Sequence, residues 1–64
     1  MCRSIKTLRG TEFEPADVEA AARQFVRKVS GYRAPSKANA AAFEQAVAEV
    51  TAAAERLLAA VTRA

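Results

Sequence analysis

The sequence predicts an all-α fold: a two-helix antiparallel hairpin with an extended N-terminal arm, completed by dimerisation into a four-helix bundle. Three observations carry this expectation. Apolar residues recur at helical spacing in two separate stretches, residues 18–29 and 43–61. A Ser30-Gly31 stop and Pro35 divide them. The chain has 64 residues, one cysteine and no histidine, so it has little else with which to hold itself together. A domain of this size is near the lower limit for a self-sufficient core, and small scaffolds add disulfides, a metal or oligomerisation. One cysteine forms no intrachain disulfide, and without histidine the usual zinc sets are absent. Oligomerisation is what remains.

The single domain, residues 1–64, divides into an arm (1–13), a first helix (14–30), a basic turn (31–36) and a second helix (37–62). In the arm, Cys2, Ile5 and Leu8 recur every three residues, with Arg3, Lys6 and Arg9 in the same rhythm, and Gly10 ends the pattern. This spacing suits either a helical turn or a strap laid over a surface. The first helix opens at Pro15, whose missing N–H is not needed at the first helical position. Val18, Ala21, Ala22, Phe25, Val26 and Val29 form its apolar stripe. With Glu14 as cap, Phe13 and Val18 occupy the positions of a hydrophobic staple. Asp17 and Glu19 at its start and Arg27 and Lys28 at its end suit the macrodipole, and Ser30-Gly31 supplies a left-handed stop.

Ser36 or Asn39 then caps the second helix, which is alanine-rich and has strong intrinsic propensity. Phe43, Val47, Val50, Ala54, Leu57, Leu58 and Val61 form its stripe, and Ala46, Ala53 and Ala60 make a smooth ridge beside it. The two helices differ in length, about 24 Å against about 38 Å at the α-helical rise. Leu57, Leu58 and Val61 therefore project past the first helix and need a cover: the arm, the same segment of a second chain, or both. With Ala46, Ala53 and Ala60 they are the expected oligomer interface.

The amino-terminal residues contain no apolar leader, and no stretch approaches the length of a membrane span. A lone thiol suits the cytoplasm. The formal charge of +3 is modest, but its distribution is not. No acid lies between Ala20 and Phe43, a stretch holding Arg23, Arg27, Lys28, Arg33 and Lys37, while the acids cluster at Glu12–Glu19 and Glu44–Glu55. Without histidine, Ser-His-Asp and Cys-His nucleophiles are unavailable, and the two glycines belong to no phosphate-loop fingerprint. The carboxylates Glu12, Glu14, Asp17 and Glu19 suit a helix start rather than a catalytic pair. No catalytic residue is expected.

Two sites remain as candidates. Arg23, Arg27, Lys28, Tyr32, Arg33 and Lys37 gather around the turn, where they suit an acidic protein surface, or a phosphate with Tyr32 stacking on a base. A solvated basic face, with Arg23 paired to Glu19 one turn away, is the plainer account. Cys2 is the second. Removal of Met1 would leave a thiol and an α-amine able to chelate a soft or borderline metal, although a small apolar residue pinning the arm with Ile5 and Leu8 is the plainer account. No other cofactor is implied.

The segments MCRSIKTLR, AAARQFVRKVSG, PSKAN and AFEQAV resemble a family of short bacterial proteins of unknown function that open Met-Cys-Arg-x-Ile-Lys and carry a Gln-Phe-Val-Arg-Lys core. The likeness covers nearly the whole chain. It departs at Glu14-Pro15-Ala16-Asp17, a shorter lead-in than the family's Pro-Pro-Ala-Thr type. The resemblance implies a bacterial cytoplasmic protein and carries no activity to transfer. The expected function is a small non-enzymatic interaction module, homodimeric, docking a partner through its basic hairpin end. Nucleic-acid binding through the same end is the alternative, and a thiol or metal site at Cys2 a third.

Overall fold

The computed structural model describes residues 5–61, and within them the chain is a helical hairpin. Helix α1 spans Pro15–Ser30 and helix α2 spans Ala40–Val61, with one 3₁₀ turn, Lys37–Asn39, leading into α2. Of the arm, Ile5 and Leu8 are half-buried, and Met1, Cys2 and Arg3 lie outside the described residues. A turn closes the arm: the Thr11 N–H and hydroxyl both donate to the Leu8 carbonyl, at 3.0 and 2.7 Å. Gly10 takes φ +84° there, the left-handed conformation that favours glycine.

Helix α1 starts from extended Glu14, with Pro15 at its first position. The Asp17 carboxylate accepts the Glu14 N–H at 2.7 Å, satisfying one donor at the helix start. Phe13 is half-buried and Val18 only 1 % exposed, at the two staple positions. At the other end Gly31, with φ +78°, donates its N–H to the Arg27 carbonyl at 2.8 Å. The Ser30 hydroxyl donates to the Val26 carbonyl and accepts the Tyr32 N–H, which carries the chain out of the helix.

Ala22 and Val26 of α1 form one core cluster with Phe43 and Val47 of α2, and Ala46 and Val50 pack against it. Antiparallel register follows from these pairs. Pro15 and Ala16 share a groove with Thr51 and Ala52, so α1 begins beside the middle of α2, and the last turns of α2 run on past it. Leu57 is accordingly 60 % exposed, and Val61 is exposed as well.

One detail of the expected α1 stripe is corrected. Phe25 and Val29 are exposed, 47 % and 71 %, while Val18, Ala22 and Val26 are buried. Six apolar positions make an arc wider than one neighbouring helix covers. The hairpin takes the i, i+4, i+8 line and leaves the other flank open. Among the described residues no third α-helix packs on the pair, so the hairpin is one helical layer thick.

Candidate functional site

The closed end of the hairpin is built from the last turn of α1, the connection Gly31–Ser36 and the first residues of the 3₁₀ turn. Its shape is fixed by side chains the chain supplies locally. Arg27 Nε donates to the Arg33 carbonyl at 3.1 Å, pinning the loop against the helix that precedes it. That bond uses one of the five guanidinium N–H donors. Asn39 Nδ2 donates to Tyr32 Oη and to Ser36 Oγ, each at 3.2 Å, tying the loop to the start of α2. Asn39 thus braces the loop with its side chain. Ser36 is extended, and its own side chain makes no capping bond to the backbone.

Arg27, Lys28 and Arg33 line a shallow concavity with Gln24, Gly31 and Tyr32. Lys37 sits at the first position of the 3₁₀ turn that follows. All four cations are exposed. Among the described residues the salt bridges are those of Arg23 with Glu19 and Glu44, so none joins these four. No acid lies between Ala20 and Phe43 to neutralise them. Tyr32 is partly exposed beside them, its hydroxyl held by Asn39.

Arg23 stands apart from this group. Its two terminal nitrogens donate to both oxygens of Glu44 on α2, at 2.8 and 2.9 Å, and one lies 3.5 Å from Glu19. Its guanidinium also lies 5.9 Å from the centroid of the Phe43 ring, within range of a cation–π contact. The hydrogen bond to Glu44 raises the Arg23 pKa above its ordinary value, and the same bond lowers that of Glu44. Arg23 therefore clamps the two helices, and the basic end proper is Arg27, Lys28, Arg33 and Lys37. The i, i+4 spacing points to Glu19, which the structure places at the longer distance. The partner at 2.8 Å comes from the other helix, 21 positions away, and only the antiparallel register would have found it.

The expected interface residues divide in two. Ala46 packs against the intrachain core, whereas Ala53, Ala60, Leu57 and Val61 are exposed. Leu58 is half-buried. Phe25 and Val29 belong with the exposed set, and sequence reasoning placed them inside. Beside the hairpin end, Tyr32, Asn39, Ala42, Phe43 and Ala46 line a mostly apolar groove with Val26 and Ser30. Among the described residues no group of three or more His, Cys, Asp or Glu side chains is placed to hold a metal ion. Cys2 lies outside them. No described helix is long and apolar enough to cross a membrane.

No curated protein and no solved structure matches the chain. A family profile does, across residues 1–64, and its description is that of an uncharacterized conserved protein. That span takes in the arm, both helices and the basic turn, and on it the chain belongs to the DUF2277 family.

Proposed function

We propose that the protein is a small, non-enzymatic interaction module that acts as a homodimeric four-helix bundle and docks an acidic partner through its basic hairpin end. One observation supports the docking above others: Arg27, Lys28, Arg33 and Lys37 are exposed around a braced turn and form no salt bridge among the described residues. A helix C-terminus is stabilised by one or two cations. Four, with two of them beyond the helix, exceed that need. The Arg27–Arg33 and Asn39 bonds hold the loop that carries them, which lowers the ordering cost of binding. A solvated basic face is the outcome the test must exclude.

Nucleic acid is the second reading, and Tyr32 is the observation that favours it. An exposed ring beside three cations is the arrangement on which a base stacks. Titration of the protein with an Asp/Glu-rich peptide and with single- and double-stranded nucleic acid, over a series of salt concentrations, separates the readings. The acidic-partner reading expects saturable peptide binding that Lys28→Glu/Arg33→Glu abolishes. Nucleic-acid binding with a log–log salt slope of about −3, reflecting about four neutralised phosphates, would replace it with the second reading. No binding to either at low salt removes both.

A further inference from the structure

We infer that the acidic partner docks as an extended peptide segment with one large apolar anchor. The anchor enters the groove lined by Tyr32 and Phe43, while carboxylates beside it meet Arg27, Lys28 and Arg33. This rests on the docking reading above and specifies the chemistry of the partner.

The first support is that two unlike concavities adjoin. Tyr32 lines both the basic hollow of Arg27, Lys28 and Arg33 and the mostly apolar groove of Val26, Ala42, Phe43 and Ala46. A chain laid across Tyr32 therefore passes directly from cationic to apolar surface. Among the described residues, neither lining includes an acid. Ala42 is rotated by about 160° from Glu44 around α2, and Arg23 holds the Glu44 carboxylate on that other side of the helix. An acidic segment thus meets complementary charge with no nearby carboxylate to repel it.

The second support is the polarity and size of the groove. Its polar rim is engaged within the chain. Ser30 Oγ donates to the Val26 carbonyl and accepts the Tyr32 N–H, and Asn39 Nδ2 donates to Tyr32 Oη and Ser36 Oγ. What the groove offers is then mainly apolar surface, which favours an apolar side chain over a polar one. Its volume is about 280 Å³, below the roughly 300–1,000 Å³ of clefts that enclose a small molecule. It suits one side chain rather than a cofactor. The Tyr32 hydroxyl, accepting from Asn39, keeps its own hydrogen to donate to a carboxylate beside the anchor.

The third support is the division of labour this permits. Exposed ion pairs in water each contribute little, so the cations steer and select an acidic chain without holding it. A buried aromatic anchor inside a polar rim supplies the hold. This chain has a run of the required composition, Glu12–Phe13–Glu14. Phe13, however, is half-buried at the staple position of its own helix, and the Glu14 N–H is tied to Asp17. The run is committed, and the occupant is a segment of another protein.

Fluorescence anisotropy of two labelled peptides titrated with the full chain tests the inference. In one, a phenylalanine is flanked on both sides by aspartate and glutamate; in the other, alanine replaces the phenylalanine. The wild type is expected to bind the phenylalanine peptide about tenfold to about a hundredfold more tightly. Salt weakens both while their ratio holds, because burial of the anchor is not screened. Ala42→Leu fills the groove from an exposed position early in α2 and is expected to remove the preference. The comparison on the wild type stands whether or not that variant keeps its helical circular dichroism. Equal affinity of the two peptides overturns this inference and leaves the acidic-partner reading standing, whereas binding of neither overturns both. A preference that survives in folded Ala42→Leu places the anchor elsewhere and overturns the groove. Growth of the wild type beyond a dimer in sedimentation, as open head-to-tail contacts give, would make Glu12–Phe13–Glu14 of a further copy the occupant and overturns the foreign segment.

Discussion

The two edges of the α1–α2 seam are built from different chemistry. One carries the forked Arg23–Glu44 pair laid across Phe43, a contact satisfied within a single chain. The other carries Phe25, Val29 and Leu57, which are exposed. Hydrogen bonds of a guanidinium to a carboxylate have one partner each and fix a register. Exposed aliphatic and aromatic surface is satisfied by anything apolar that brings enough area. The first edge specifies how the hairpin folds, and the second is the one on which the proposed two-copy reading depends.

Phe43 belongs to both edges, since it lies beneath Arg23 and also lines the groove next to Tyr32 and Ala46. Phe43→Ala is the change expected to break the comparison altogether, at about 3–5 kcal/mol for a buried aromatic. Thermal or urea unfolding followed by circular dichroism checks this, and a native-like melt would show that the core cluster does not hold the hairpin. Gly31→Ala comes next. The position is open, with no heavy atom within 4 Å of an added Cβ, so the cost is conformational alone, about 1–2 kcal/mol for a left-handed non-glycine residue. An unchanged urea midpoint would mean the turn relaxes to another conformation.

Smaller effects sharpen the contrast. Phe25→Ala is expected to change stability by no more than about 0.5 kcal/mol at concentrations where the chain is monomeric, and by more as concentration rises. A loss independent of concentration would place Phe25 in the monomer core. The clamp gives the smallest effect and a pH signature. Because Arg23 lowers the Glu44 pKa, the pair's stabilisation is complete above the ordinary carboxylate value of 4.5 and is lost as pH falls through the lowered value. Arg23→Gln removes that part of the acid dependence, so its unfolding midpoint falls less steeply than the wild type's below pH 4.5.

The elements themselves were legible because their signals are local. Pro15, the Glu14–Asp17 pair, the apolar spacing and Gly31 each act within a turn or two of the backbone, and α1 begins and ends on them. The overhang of Leu57 followed from helix lengths alone. What the spacing did not reveal is which part of the α1 arc turns inward. Val18, Ala22 and Val26 compete with Ala21, Phe25 and Val29 on equal apolar terms, and the choice is tied to Arg23 meeting a carboxylate on the far side of the turn. The basic end was partly legible for the same reason: its charges are contiguous in sequence, while the bonds that brace it run between Arg27 and Arg33 and between Asn39 and Tyr32.

The one-layer hairpin also has a temporal consequence. Its core gathers Ala22, Val26, Phe43 and Val47 from two consecutive helices joined by a single connection, so short loops close before any long one must. Chains of this topology form their contacts in microseconds to milliseconds, whereas meeting a second molecule is a bimolecular event whose rate scales with concentration. Under the two-copy proposal, folding and assembly are separable in time: a fast phase that ignores dilution, followed by a slower one that stretches out as the protein is diluted.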